Sequence, residues 1–245
     1  MPQIPFDPLK RANEVEEIVC KDNSRKYYRF RFSRYYGGIV TADAVGCCFL
    51  CAYCWNYFRN LNPGKYGKFY SSEEVAERIL RISNKKNCKR IRISGAEPIL
   101  GKRSFNHLLK IIEILKENLE ILEFILETNG FILGYYPELI NPLTKFKEFL
   151  FVRISIKGWD EKSFELISGT KRKYFEYPIL ALKNLLENDI TAWPAIMYEI
   201  FKGKGIEIFA EKLKKFKIDP EEIEIEYLER YPFVIENLRK RKINL

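Results

Sequence analysis

Segments with the character of strands and helices alternate along the chain after residue 38, and this alternation restricts the fold more than any other feature of the sequence. Neighbouring parallel strands need a crossover that returns the chain to the same end of the sheet, and helices usually supply it. The pattern therefore predicts an α/β fold with parallel strands inside and helices outside. Strands are predicted at 39–46, 89–95, 121–130, 149–158, 190–198 and 222–228, and helices at 71–83, 104–118, 136–147, 160–188 and 206–216.

The polarity of the strands decides how such a sheet closes, because it can be doubly wound or can form a full or partial barrel. Val152 and Ile154 alternate with Arg153 and Ser155 along one strand, and other strands repeat this pattern. A flat sheet covered by helices on both sides needs two apolar faces, whereas a barrel can keep a polar interior. The sequence thus predicts a partial (β/α)6 TIM-like barrel. We divide the chain into an N-terminal extension, a barrel core and a basic C-terminal tail, at 1–38, 39–230 and 231–245.

Charged side chains are expected inside this barrel. Arg92 and Arg153 lie on the polar faces of their strands, and the last strand contributes Glu224 and Glu226. An unpaired guanidinium in a barrel interior is costly, so each arginine must meet a carboxylate of the protein or of a ligand. We expect Glu224 or Glu226 to be that partner.

Four of the six cysteines fall within one short stretch, GCCFLCAYCW at 46–55. Thiolates are soft ligands, and a compact set of three suits an iron-sulfur cluster or zinc. The spacing leaves two sets open, because either Cys47 or Cys48 can be combined with Cys51 and Cys54. Disulfides are not expected in a chain of this length without an export signal.

A closed structural zinc site usually takes four protein ligands, and a fourth ligand is hard to find in this sequence. His107 lies within an apolar helix, where a packed or partly exposed residue is expected. Cys20 and Cys88 stand alone and are expected to be buried as small hydrophobic residues. Three ligands with an open fourth position indicate an iron-sulfur cluster that keeps one iron free.

The composition indicates a soluble, cytoplasmic protein, because no leader segment and no apolar run long enough for a membrane span is found. The net charge is +9, and basic residues concentrate in KYYRFRFSRYY at 26–36 and in RKRK at 239–242. Such stretches can contact RNA. The favoured interpretation is an edge strand with a solvated face and a charged tail.

The cysteine stretch resembles the CxxxCxΦC loop of the radical S-adenosylmethionine (radical SAM) enzymes, with Tyr53 as the aromatic residue before the third cysteine. SGAEP at 94–98 resembles the GGEP motif of that family. ETNG at 127–130 and SIKG at 155–158 resemble the DTNG and DxK stretches of activating enzymes of glycyl-radical proteins, such as the pyruvate formate-lyase activating enzyme. All four stretches follow predicted strands in the family's order, so the resemblance spans roughly residues 39–228.

The resemblance implies a [4Fe-4S] cluster, S-adenosylmethionine (SAM) and an external one-electron donor of the ferredoxin or flavodoxin type. It implies reductive cleavage of SAM to a 5′-deoxyadenosyl radical that abstracts hydrogen from a substrate. Glu127 and Ser155 replace aspartates that help to hold a monovalent cation in the activating enzymes, which puts such a cation in doubt here. The resemblance assigns the cluster to Cys47, Cys51 and Cys54, and cofactor contacts to Tyr53, Gly95, Ala96, Glu97, Thr128, Ser155 and Lys157.

Ala96 stands where the family has a second glycine, and an alanine fits there only if its φ is negative. Lys157 is expected to contact SAM or to form an ion pair with Glu127 or Glu226. The substrate stays open between a glycyl-radical partner protein, a small metabolite and an RNA base. Two other classes are an iron-sulfur electron-transfer protein without SAM chemistry and a binding module with structural zinc.

Overall fold

One mixed sheet organises the residues that this computed structural model describes, which are 3–118 and 121–245. Six of its strands run parallel in the order β3-β5-β6-β7-β8-β9. The strands are β1 Cys20–Lys21, β2 Ser24–Ser33, β3 Ile39–Ala44, β4 Lys68–Ser71, β5 Arg90–Ser94, β6 Glu123–Thr128, β7 Leu150–Ser155, β8 Ala192–Met197 and β9 Glu224–Glu226. The predicted α/β class and the partial barrel of parallel strands are confirmed.

Helices connect the parallel strands and cover the outside of the barrel. They are α1 Pro8–Val19, α2 Tyr57–Leu61, α3 Ser72–Lys86, α4 Lys102–Lys116, α5 Phe131–Tyr135, α6 Glu161–Ser168, α7 Tyr177–Glu187, α8 Tyr198–Lys215 and α9 Pro232–Lys240. In the part of the chain that the structure describes, none of the helices is long and apolar enough to cross a membrane.

The helix α3 shows how local sequence sets an element boundary. The Ser71 hydroxyl accepts from the Glu74 amide at 3.2 Å, and the Glu74 carboxylate accepts from the Ser71 amide at 2.7 Å. This capping box satisfies amides that have no partner within the helix.

Two other predicted helices differ from the structure. Residues Pro137–Phe146 form a 3-10 helix containing Pro142, and α8 begins earlier than predicted, with a kink at Lys202.

The alternation along β7 separates a packed face from a polar face, as predicted. Val152 and Ile154 are 0% exposed and pack against the helices. Burial of one such side chain contributes about 1.5–3 kcal/mol. Arg153 and Ser155 face the barrel interior, which is a cavity rather than a second apolar layer.

The N-terminal residues extend the sheet beyond the barrel. The strand β2 pairs antiparallel with β3 and with the short strands β1 and β4, so it belongs to the same sheet as the core. The basic C-terminal residues form α9. The division at 1–38, 39–230 and 231–245 stays a prediction, and residues 1–2 and 119–120 of those ranges lie outside the described residues.

A small hydrophobic cluster, here called the minor core, joins distant parts of the chain. Its buried members are Phe6, Leu50 and Tyr57, and the partly buried Leu61 and Phe233 pack against them. Phe6 precedes α1, Leu50 lies among the cysteines and Phe233 belongs to α9. The minor core therefore packs the segments before α1 and after β9 onto the cysteine-bearing loop.

Candidate active site

The parallel strands lead into a cavity of about 720 Å³ at their carboxyl ends. This volume lies within the range of pockets that bind small-molecule ligands, and β/α barrels gather their active sites at this end. The cavity brings together every residue that the sequence analysis assigned to the cluster or to cofactor contact. These lining residues are Cys47, Cys51, Cys54, Tyr53, Gly95, Ala96, Glu97, Thr128, Ser155 and Lys157.

The cysteine loop follows β3 and is fastened to the end of α6. The Leu50 amide donates to the Ser168 carbonyl at 3.0 Å, and the Ala52 amide donates to the Ile167 carbonyl at 2.9 Å. Because loop amides without partners are costly when buried, these bonds restrict the shape of the loop.

Cys48 differs from the other three cysteines of the loop because it does not line the cavity. It is 0% exposed, and its Sγ accepts a hydrogen bond from Asn129 Nδ2 at 3.3 Å. Cys47, Cys51 and Cys54 instead line the cavity. Of the two sets that the spacing left open, this geometry favours the one that contains Cys47.

The protonation of the thiols depends on burial and on one thiol pair. Burial raises the pKa of Cys51 to about 12 and that of Cys54 to about 11. A hydrogen bond from Cys48 holds the pKa of Cys47 below its ordinary value. Thiolate is the form that binds metal, so cluster binding would release protons from this loop.

The donor set fits an iron-sulfur cluster better than a single metal ion. Within residues 3–118 and 121–245, no three His, Cys, Asp or Glu side chains converge at the spacing of a single-ion site. A [4Fe-4S] cluster bonds each thiolate to a different iron, so its ligands stand farther apart than those of one ion. Three thiols of one loop that line one cavity supply the soft donor set that such a cluster takes.

Glu97 connects the loop after β5 to the end of β6. Its Oε1 accepts from Thr128 Oγ1 at 2.7 Å and from the Ile99 amide at 3.0 Å, and its Oε2 accepts from the Asn129 amide at 2.7 Å. The side chain is 2% exposed, and this burial raises the pKa of Glu97 to about 7. Glu97 therefore positions two of the strand-end segments that line the cavity.

The glycine of SGAEP is required by its backbone conformation. Gly95 has a φ of 85°, and a Cβ at this position would lie 2.9 Å from the Cβ of Asp43. Ala96 is not among the described residues with positive φ, so its methyl group meets the condition set by the sequence analysis. The backbone can thus approach a ligand at this edge of the cavity.

Lys157 lies beside Tyr53 at the same end of the barrel. Its Nζ is 5.2 Å from the centre of the Tyr53 ring, and its pKa is raised above the ordinary value. Burial opposes the charge, but the groups of Tyr53, Cys51 and Glu226 outweigh it. None of the ion pairs within the described ranges includes Lys157, so the expected pair with Glu127 or Glu226 does not form.

The two lumen arginines pair with different carboxylates. Arg153 Nε donates to Glu224 Oε2 at 3.0 Å, and its Nη2 lies 2.8 Å from Glu226 Oε1 as an ion pair without aligned hydrogen-bond geometry. This partner was predicted correctly. Arg92 instead pairs with Glu127, with 2.6 Å between Nη1 and Oε1. The prediction of Glu224 or Glu226 for Arg92 was wrong because Arg92 and Glu127 lie on adjacent strands β5 and β6, far from β9.

Two arginines of the N-terminal basic stretch also reach the cavity. Arg29 Nε and Arg31 Nε lie 2.6 and 2.8 Å from Oδ2 of Asp43, which is fully buried. The favoured interpretation as a solvated face holds for Arg29, whose side chain is 45% exposed, but not for the partly buried Arg31. Register explains the difference, since β2 pairs with β3 so that Arg29 lies opposite Asp43.

Some residues near the cysteines were not identified from the sequence. Asn129 lies within ETNG but was given no role, and Asn60 Nδ2 lies 3.6 Å from Cys54 Sγ. The sequence around Asn60 carries no recognisable signal for this contact. The expectations for the remaining candidates are confirmed, since His107, Cys20 and Cys88 are 6%, 4% and 8% exposed and packed.

A partial barrel with a three-cysteine loop at the carboxyl ends of its strands defines a class of cofactor-dependent enzymes. The family model of the Radical SAM superfamily matches residues 43–217, and the chain belongs to that superfamily. It is therefore an enzyme whose cofactors are a [4Fe-4S] cluster and SAM, and such enzymes need an electron donor.

A curated relative from Methanocaldococcus jannaschii, provisionally named a glycyl-radical enzyme activating enzyme, is 30% identical over 138 residues. The match covers 56% of this chain and 47% of the relative, so the chain spans about half the length of the curated relative it matches. A radical SAM methyltransferase from Sphaerobacter thermophilus superposes with a TM-score of 0.60, 12% identity and coverage of 92% of this chain and 73% of that one. A spore photoproduct lyase superposes with a TM-score of 0.58 and 14% identity, and the match covers 88% of this chain and 65% of that one. These structural likenesses support the fold.

Proposed function

We propose that Cys47, Cys51 and Cys54 bind the cluster and that the enzyme abstracts a hydrogen atom from a glycine of a partner protein. The observation that carries this proposal is the convergence of three thiols and three strand-end segments on one cavity. A cluster held by these three thiols, with one electron from a ferredoxin- or flavodoxin-type donor, would supply the reductive cleavage of SAM into methionine and a 5′-deoxyadenosyl radical. Hydrogen abstraction from the glycine Cα would then leave 5′-deoxyadenosine and a glycyl radical on the partner protein.

The protein's own side chains position the cofactor and close the site. The backbone of Gly95 and Ala96, held by Glu97, is proposed to meet the methionyl amino group of SAM. Thr128 and Lys157 are proposed to contact SAM from the next strands. No ion pair within the described residues includes Lys157, whose Nζ lies beside the Tyr53 ring, so its cation can also meet a ligand anion.

A protein substrate is supported by three observations. The relative from M. jannaschii is named for glycyl-radical enzyme activation, and ETNG and SIKG resemble stretches of such enzymes. The arginines that line the cavity are each paired with a carboxylate, which leaves little capacity for the phosphates of RNA. A loop of a partner protein that presents a glycine carries no phosphates, so its binding does not need free cations in the cavity.

An RNA base is the second candidate substrate. Tyr35 and Tyr227 line the cavity and are 61% and 71% exposed. Exposed aromatic rings of this kind can stack on an unpaired base. The net charge of +9 would favour the approach of a nucleic acid.

Anaerobic reconstitution tests the cofactor chemistry. The wild-type chain is expected to bind about four irons and four sulfides and to form 5′-deoxyadenosine from SAM and dithionite. Cys47→Ala is expected to form none, and Cys48→Ala serves as the matched control. A chain that holds iron and sulfide but leaves SAM intact would indicate an electron-transfer protein and contradict the proposal.

The substrate is tested in a second anaerobic experiment. The reduced enzyme and SAM are incubated with glycyl-radical proteins of the pyruvate formate-lyase type, and transfer RNA is supplied in a parallel reaction. A glycyl-radical signal in the electron paramagnetic resonance (EPR) spectrum of the protein reaction would support the first candidate. Stimulation of 5′-deoxyadenosine formation by RNA, without any protein radical, would replace it by the second.

A further inference from the structure

Arg241 contacts the cysteine loop from a distant part of the sequence. Its Nη2 donates to the Leu50 carbonyl, and its Nη1 donates to the Ile167 carbonyl at 2.8 Å and to the Leu166 carbonyl at 3.3 Å. One guanidinium therefore bridges the cysteine loop and the last turn of α6. No family motif quoted above includes this residue.

The contact is favourable for both elements that it joins. The last carbonyls of α6 have no partners within the helix, and a cation at a helix carboxyl end also interacts well with the helix dipole. The planar fork of arginine can donate in several fixed directions at once, which an ammonium group cannot reproduce. Gly169 leaves room for the fork, since a Cβ there would lie 3.1 Å from Nη1 of Arg241.

Packing places the guanidinium where it is needed. Val234 and Leu238 anchor α9 in the main core, at 0% and 1% exposure, and Phe233 packs against Leu50 and its neighbours in the minor core. Arg241 follows the last turn of this anchored helix. The position of Arg241 is thus fixed both by the packing of α9 and by the carbonyls that accept its hydrogen bonds.

The charge of Arg241 also lies close to a proposed cluster ligand. Leu50 precedes Cys51 directly, so the guanidinium on the Leu50 carbonyl stands within roughly 10 Å of the Cys51 sulfur. Iron-sulfur potentials respond to nearby charge and hydrogen bonding, and a fixed cation stabilises the state with the extra electron. At an effective dielectric constant near 20, a unit charge at about 10 Å changes an equilibrium by roughly tenfold.

We propose that Arg241 is a positioning residue that locks the cysteine loop onto α6 and raises the reduction potential of the cluster held there. The proposal rests on the proposed function, because it takes Cys51 to be a cluster ligand. It gives a role to part of the basic RKRK stretch at 239–242, which the cofactor chemistry left without one.

The test compares Arg241→Gln with Arg241→Lys and with Arg239→Gln. Arg239 is an exposed residue of α9, so its substitution removes the same charge without the bridge. Two measurements are made. Amide hydrogen exchange of residues 46–56 is followed in the cluster-free chain, and the cluster potential is measured in the reconstituted enzyme by an EPR-monitored redox titration without SAM.

Arg241→Gln is expected to exchange about tenfold faster in residues 46–56, the effect of losing one charged hydrogen bond. Its ratio of reduced to oxidised cluster at a fixed potential is expected to fall about tenfold, which is a potential about 59 mV lower. Arg241→Lys should keep the potential but still exchange faster, and Arg239→Gln should match the wild type in both measurements.

Equal exchange and equal potential in Arg241→Gln and the wild type would overturn the proposal. If Arg241→Gln does not fold, Arg241→Lys decides, since unchanged exchange in that variant overturns the bridge. A wild-type chain that takes up no iron would overturn the proposed function and the effect on potential with it. In that case the exchange measurement would still decide the role of Arg241 in the loop.

Discussion

Glu97 gives a pH dependence of folding that can be measured directly. Burial raises its pKa from the ordinary 4.5 to about 7 in the folded chain. The folded chain therefore binds this proton more tightly than the unfolded chain does. The stability that the group contributes is fully present below about pH 4.5 and is lost as the pH rises through about 7.

The size of the effect follows from the separation of the two pKa values. At 1.36 kcal/mol for each pKa unit, 4.5 and about 7 correspond to about 3 kcal/mol between acidic and alkaline pH. The variant Glu97→Gln has nearly the same shape but does not titrate. We expect the stability of the wild type relative to Glu97→Gln to fall by about 2.5 kcal/mol between pH 5 and pH 8, which is most of that difference.

Urea unfolding of the reduced, anaerobic chain at several pH values provides the assay. The slope of the unfolding free energy against urea concentration should be equal in the wild type and Glu97→Gln if the comparison reports stability alone. Glu123→Gln is the matched control, because Glu123 forms a partly exposed ion pair with Arg90 that is worth no more than about 1 kcal/mol. The reasoning would be refuted if the free energies of unfolding of the wild type and Glu97→Gln changed in parallel with pH. It would also be refuted if the wild type gained stability relative to Glu97→Gln at higher pH.

Four further substitutions test the site and the packing. Cys47→Ala should lower bound iron from about four atoms per chain to nearly none, whereas Cys48→Ala should keep the cluster, as measured by iron and sulfide analysis. Gly134→Ala should lower the melting temperature by roughly 5–10 °C, because its Cβ would overlap the Tyr177 carbonyl oxygen, and an unchanged value would contradict this close contact. Arg153→Gln should lower the free energy of unfolding by about 3 kcal/mol in urea titrations, since it leaves two glutamates without their buried partner.

Features that depend on neighbouring residues were predicted well from the sequence. The capping box of Ser71 and Glu74 marks the start of α3, and the alternation of Val152 and Arg153 identifies the two faces of β7. Both signals act within a few residues, so no knowledge of the fold is needed to interpret them. The residues assigned to the cavity came instead from the resemblance to radical SAM motifs, and the fold brings them together because strand-end positions of a barrel meet at one end.

Contacts that depend on register or on distant segments could not be predicted. The pairing of Arg92 with Glu127 depends on which strands are adjacent, and the turn of Arg29 into the cavity depends on the alignment of β2 with β3. Arg241 and Leu50 are 191 positions apart in sequence. No local pattern carries such information, because tertiary packing alone brings these groups together.

The minor core bears on when the enzyme can acquire its cofactor during biosynthesis. Phe233 and Arg241 follow nearly all of the barrel in order of translation, yet both contact the loop at Leu50. A nascent chain that has completed the cysteines but not α9 lacks these contacts. Assembly of the inorganic centre is therefore best suited to a polypeptide that already contains α9, and a chain truncated before residue 233 should have cysteines that are more open to oxidation.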